Sequence, residues 1–335
     1  MTVTATTTSF ESATGDALDA ALVLADPDAC AALAGLVARL RSIGYDGSPE
    51  FVVSAVVRAD NANATIVRLA GADPVRFEDA LDALGADAVA ALTRSGALAP
   101  VDDGLALTAR IFPMRSVYSF LPLNTTGRDV VYFGPDSLAL LECIWAARGY
   151  GDHAADLATG NGFIAAALAT RYDHVVAADL SHRCVSTAAL IPVVNPHLQA
   201  RFSAVEMDVA SGLRAGSFDL VTANAPWVPE VVTPDGPPRL FAAGGPTGFE
   251  LPKRFIDAAA ELLAPDGRAF IACLNLEFDD GRRPLRDHLP SVIARDVAAT
   301  VTETKLNTAI DYTRWANLKT TGVTRARHVI VELHR

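Results

Sequence analysis

Two short stretches hold the residue types that do chemistry. Phe218–Val221 reads as the start of a buried strand, and Asn224-Ala225-Pro226-Trp227 ends it with an amide, a proline and a large aromatic ring. Proline has no N–H for a sheet ladder, so the strand must stop there. In an open parallel sheet the carboxyl ends of the strands are where ligands bind. The second stretch is Asp156-Leu157-Ala158-Thr159-Gly160-Asn161-Gly162. Two glycines at a strand-to-helix turn let the backbone approach a ligand with no Cβ in the way. Asp179, 23 residues after Asp156, stands at the end of the next strand. A carboxylate at that place can accept both hydroxyls of a nucleoside ribose. Gly160 to Ala165 also fits G-x-G-x-x-A, a dinucleotide fingerprint. Asp156, four residues before Gly160, suits an ammonium group better than a second phosphate.

Elements that alternate strand and helix must position these residues. HAADLA, HVVAADL, FSAVEMDV, FDLVTAN and RAFIACLNL are candidate strands, separated by helical runs such as FIAAALATR, HRCVSTAALIPVV and PKRFIDAAAELLA. Alternation in units of roughly 30 residues predicts an α/β, doubly wound parallel sheet. ATVTETKLN and RHVIVELHR follow without a clear helix between them and predict an antiparallel closing pair. Residues 15–128 read differently, as a smaller helical domain. VRFEDALDALGADAVAALTRSGALAPVDDGLALTARIF predicts two short helices and then a hairpin turning at Asp102-Asp103-Gly104, the order of a winged helix. The expected division is a disordered tail at 1–14, the helical domain at 15–128 and the cofactor-binding domain at 129–335.

Composition narrows the function classes. The chain has 335 residues, half of them hydrophobic and a fifth charged, which is globular composition. No run of 18 uncharged apolar residues predicts a membrane span, and the N-terminus lacks the pattern of a secretory signal. Cys30, Cys143, Cys184 and Cys273 form no CxxC pair, which argues against zinc and redox motifs and for free thiols in the cytoplasm. The net charge is −11, and residues 1–128 hold nine Arg, no Lys and fifteen Asp or Glu. That balance opposes DNA binding by the helical domain.

The motif Asp156-Leu157-x-Thr159-Gly160-x-Gly162, followed by Asp179, Asp208 and Asn224-x-Pro226-Trp227, resembles class I S-adenosylmethionine-dependent methyltransferases. More narrowly it resembles the branch with the release-factor glutamine N5-methyltransferases and the small-domain rRNA methyltransferases. The resemblance covers roughly residues 130–335. Ala158 stands where that branch has its first glycine, and Ala225 and Trp227 stand where its N-P-P-Y motif has proline and tyrosine.

The resemblance implies S-adenosylmethionine as cofactor. Asp156 would lie near its amino group, Ala158, Gly160 and Gly162 beneath it, Asp179 at the ribose and Asp208 at the adenine amino group. Phe133, in the segment Tyr132–Ser137, would cover the cofactor. Asn224 and the Ala225 carbonyl would hold the N–H bonds of a planar nitrogen, Pro226 would stiffen the turn and Trp227 would stack on the acceptor. Asn224 would also border the cofactor. The methyl acceptor is then a protein, an RNA or a small molecule, with a glutamine amide or a nucleobase amine favoured. Three alternatives stand beside this reading: a small-molecule N- or O-methyltransferase, an NAD-dependent oxidoreductase, and a metabolite-sensing DNA-binding regulator.

Overall fold

The computed structural model describes residues 18–45, 61–114, 116–123, 130–147, 149–229, 240–308, 311 and 322–335. The tail expected at 1–14 lies outside the described residues.

The first described elements are α1 (Ala20–Leu24) and α2 (Pro27–Ser42). Asp26 starts α2: its carboxylate accepts from the backbone N–H of Asp28 and Ala29, and Pro27 occupies a position with no helical donor to lose. Ala29, Leu33, Leu36, Val37 and Leu40 recur at helical spacing and bury one face. Then come α3 (Asn61–Ala70), the short β1 (Val75–Arg76), α4 (Phe77–Leu84), α5 (Ala86–Arg94) and a hairpin of β2 (Leu98–Val101) and β3 (Gly104–Leu107). β1 pairs with β3 and completes a sheet of order β1-β3-β2. The winged-helix assignment is a proposal that rests on this order of elements. A second hairpin, β4 (Ala109–Met114) and β5 (Val117–Pro122), follows and was not expected. Pro113 disguises it in the sequence; a two-stranded ribbon tolerates proline because each strand is an edge.

The larger sheet has seven strands: β6 (Gly151–Leu157), β7 (Tyr172–Asp179), β8 (Phe202–Glu206), β9 (Phe218–Asn224), β10 (Leu263–Phe278), β11 (Ala298–Glu303) and β12 (Val323–His334). Their order is β11-β12-β10-β9-β6-β7-β8. β6 to β10 run parallel to one another, and β12 runs antiparallel to both β10 and β11. The expected closing pair is therefore present, with β12 inside the sheet and β11 at its edge. The helices are α6 (Pro135–Ala146), α7 (Phe163–Leu168), α8 (His182–Val194), α9 (Glu250–Leu262) and α10 (Pro284–Ile293).

The N-terminal elements and the sheet are packed together. Leu33, Leu36, Ile66 and Leu92 share one apolar cluster with Leu190 and Val194 of α8. Asn195, buried at the end of α8, clasps the two parts. Its Oδ1 accepts from the Tyr118 N–H and from Arg41, both at 3.0 Å, and its Nδ2 donates to the Tyr118 carbonyl at 2.8 Å.

Candidate active site

Strand order explains the site. The neighbours β9, β6, β7 and β8 all end on one side of the sheet, so they bring Asn224, the Ala158–Gly162 turn, Asp179 and Asp208 to one rim. Asn224, Asp179, Asp208 and, from the turn, Ala158, Thr159, Gly160 and Asn161 line a cleft of about 1170 Å³, open mouth included, whereas Gly162, expected beneath the cofactor, does not. Pro226 lines it too, with Leu180, Met207 and Val209 on the Asp208 side. Tyr132 and Phe241 form one wall, their rings stacked at 4.8 Å and 5°.

Asp179 stands at the cleft rim, tied to the glycine turn and to the start of α8. Its Oδ2 accepts from the Gly160 N–H at 2.9 Å and its Oδ1 from the Ser181 N–H at 3.0 Å. Gly160 and Gly162 both take positive φ, +58° and +76°. A Cβ on Gly160 would lie 3.1 Å from the Tyr132 carbonyl, whereas one on Gly162 would lie 2.6 Å from Ile191 Cδ1. Gly160 thus keeps the rim clear, and Gly162 lets α7 pack on α8. Ala158 holds φ +59° with a Cβ in place, a conformation that costs about 1–2 kcal/mol for an L-residue.

Asp156 does not line the cleft. It is 1% exposed, and its two oxygens accept from the Thr159 hydroxyl at 2.7 Å and the Thr222 hydroxyl at 2.8 Å. Burial pushes its carboxyl up to about 6, against the pull of those two hydroxyls. The expected contact with an amino group is therefore replaced by a buried strut that joins the glycine turn to β9. Register explains it, since Asp156 lies opposite Thr222 in the β6–β9 ladder.

Three other expectations are also corrected. Phe133 faces inward, packing on Phe163 at 4.6 Å and Phe112 at 5.3 Å, and its neighbour Tyr132 meets the cleft instead. Trp227 is 7% exposed and packs with Leu274, Leu276 and Phe278. It borders a small hollow beside Asn224 and Ala225 but is absent from the main cleft, so its broad stacking surface is spent on the core. Ala225 is 99% buried and likewise lines only that hollow. Asp208 does border the cleft, and Arg254 takes one of its oxygens at 2.8 Å.

Asn224 stands as expected at the rim. Its Nδ2 donates to Asp136 Oδ2 at 3.0 Å and to Ser137 Oγ at 3.1 Å. Its Oδ1 is buried and has no hydrogen-bond partner. Tyr132 and Phe241 of the wall, and the Asp136 and Ser137 partners, were not assigned roles from sequence. Asp136 and Ser137 lie in the quoted segment Tyr132–Ser137, where the polar pair after Gly134-Pro135 was the available signal.

The strand order and flanking helices have the Rossmann-like arrangement of the class I methyltransferase fold. Residues 133–279 match the model of the methyltransferase small domain family. A release factor glutamine methyltransferase from Moorella thermoacetica is 32% identical over 136 residues, 38% of this chain and 47% of that protein. A ribosomal protein uL3 glutamine methyltransferase from Bordetella pertussis is 32% identical over 124 residues, 35% of this chain and 41% of that protein. The matches span under half the length of these curated relatives. The solved structure of Trm5b from Pyrococcus abyssi aligns at 12% identity and TM-score 0.46, over 71% of this chain and 62% of that one, too distant to bear on function.

S-adenosylmethionine is the cofactor of this domain class, and the residues fit it. Asp179 places a carboxylate at the rim for a ribose, the glycine turn brings backbone there, and Asp208 lines the same cleft. A dinucleotide fits less well. Its pyrophosphate needs donors at the start of a helix, and here the Phe163 N–H is already taken by Asn161 Oδ1 at 3.3 Å.

Proposed function

We propose that the chain is an S-adenosylmethionine-dependent N-methyltransferase acting on a planar nitrogen, with a protein glutamine amide as the favoured acceptor and a nucleobase amine second. The observation that supports it is the Asn224 Oδ1, buried at the cofactor rim with no partner. A buried carbonyl left unpaired costs about 1–3 kcal/mol. An acceptor N–H placed there removes that cost and turns the nitrogen lone pair toward the cofactor. The net charge of −11 favours a protein over bulk RNA.

When bound, the cofactor supplies an electrophilic methyl group on its sulfonium. The chain supplies position: Asp179 and the Gly160 turn hold the nucleoside, Tyr132 and Phe241 wall the cleft, and Asn224 holds an acceptor N–H. Orientation and exclusion of water lower the barrier without a strong general base. We place the activity in the cytoplasm because Cys30, Cys143, Cys184 and Cys273 form no disulfide. Among the described residues no helix is long and apolar enough to cross a membrane.

Calorimetry with S-adenosylmethionine and NAD tests the cofactor. Transfer of tritiated methyl to glutamine peptides, ribosomal proteins, RNA and small phenols tests the acceptor. Asn224→Ala should lower kcat/KM by about 10²-fold or more and leave cofactor affinity unchanged. Near-normal turnover of Asn224→Ala would overturn the planar-nitrogen reading, and binding of NAD in place of S-adenosylmethionine would overturn the class.

A further inference from the structure

We propose that Asp136 is a positioning residue: its carboxylate locks the Asn224 side-chain amide so that only Oδ1 is offered to the acceptor. The inference rests on the planar-nitrogen reading and deepens it. Asp136 is buried in the first turn of α6. An acid there has an ordinary explanation, since it complements the helix dipole. Its hydrogen bonds say more. Oδ1 accepts from the Tyr132 hydroxyl at 2.9 Å, and Oδ2 accepts from Asn224 Nδ2 at 3.0 Å. Both oxygens are turned to side chains that border the cleft.

A carboxylate presents only lone pairs. If the Asn224 amide flipped, its oxygen would face the Asp136 oxygen and both would lose a hydrogen bond. Ser137 cannot impose that choice alone, because a hydroxyl both donates and accepts. Asp136 therefore decides the orientation, and Ser137 takes up the second amide hydrogen at 3.1 Å. Gly134 makes the arrangement possible, because a Cβ there would overlap the Tyr132 hydroxyl and lie 2.7 Å from Asp136 Oδ1. The consequence is selection for acceptors that donate a hydrogen to Oδ1, which a primary amide or an aryl amine does.

The test uses the full chain saturated with S-adenosylhomocysteine and labelled with 15N at asparagine. The Asn224 side-chain pair is identified as the one lost in Asn224→Asp. Propionamide, a minimal analogue of the glutamine side chain, is titrated in. Asp136→Asn allows either orientation of the Asn224 amide. It should shift the Asn224 pair and weaken propionamide about tenfold or more, the factor expected when the flipped amide outweighs the other orientation by about ten to one. S-adenosylhomocysteine affinity and the thermal midpoint should hold. Asp136→Ala carries the same expectation, and Ser137→Ala should cost only about two- to threefold because Asp136 still bars the flip. Wild-type propionamide affinity in Asp136→Asn overturns the proposal. So does loss of S-adenosylhomocysteine affinity in step with propionamide, which marks a scaffold residue. If propionamide leaves the wild-type Asn224 pair unmoved while that pair still depends on Asp136, the lock stands and the planar-nitrogen reading falls. If the pair is indifferent to Asp136, the lock falls.

Discussion

Asp156 and His328 make opposite demands on the proton, and Asp156→Asn separates them. Burial pushes the Asp156 carboxyl from its ordinary 3.8 up to about 6. Burial lowers the His328 imidazole from 6.5 to about 4, with the nearby Asp136 charge acting the other way. Between pH 4 and 6 the folded chain keeps a proton on Asp156 that the unfolded chain has released. Its stabilisation is complete below 3.8 and is lost as pH rises through about 6. His328 behaves in reverse: the unfolded chain takes the proton first. Its contribution is complete above 6.5 and is lost as pH falls through about 4. Each shift is about two units, on the order of 3 kcal/mol. The two slopes oppose each other, so this pair leaves wild-type stability nearly flat between about pH 4 and pH 6.

Asp156→Asn keeps the size of the side chain, and the Thr159 and Thr222 hydroxyls can rotate to pair with the amide. It removes one slope and leaves the other. Urea unfolding of wild type and variant at several pH values is the assay, because their difference cancels every other titrating group. The difference should move in favour of the variant by about 3 kcal/mol from pH 4 to pH 7. A difference that stays constant within about 1 kcal/mol refutes the reasoning. His328→Gln should give the mirror image, gaining relative stability as pH falls.

Asp179→Ala should weaken S-adenosylmethionine binding by about 1.5–3 kcal/mol in calorimetry, and unchanged affinity would place the ribose elsewhere. Gly162→Ala should cost at least about 2 kcal/mol in urea unfolding, since the new Cβ meets both strain and the α8 side chains. Gly212→Ala is the control: it also has positive φ, but nothing lies within 4 Å, so it should cost strain alone. Trp227→Ala should lose about 3–5 kcal/mol of stability with little change in cofactor affinity, because the ring belongs to the core. In a salt series the full chain should show no salt-sensitive gel shift with duplex DNA; a steep salt dependence would contradict the charge argument.

Local sequence sufficed for whatever depends on neighbours along the chain. The strand-to-helix glycine turn, the acid at the end of β7 and the amide at the end of β9 were legible because each is a short pattern tied to the end of one element. The parallel sheet was legible from the alternation of strands and helices, and a parallel sheet places such strand ends on one rim. The hairpin at Asp102-Asp103-Gly104 was legible for the same reason, as turn residues between apolar runs.

Which way a side chain faces was another matter. Asp156 and Asp179 look alike in sequence, yet only Asp179 meets the cleft. The partner of Asp156 is Thr222, 66 residues away, chosen by the register of β6 against β9. Asn224 is oriented by Asp136, 88 residues away, and the clasp at Asn195 reaches back to Tyr118 and Arg41. Tyr132 and Phe133 are adjacent and face opposite ways, so no composition rule could choose between them. Trp227 is aromatic at the right place, but the surfaces of β10 and β12 claim its ring. Residue types and spacing determined which chemical groups reach the rim. Packing between elements distant in sequence decided which of them face a ligand, because burial and hydrogen bonding are settled only when those surfaces meet.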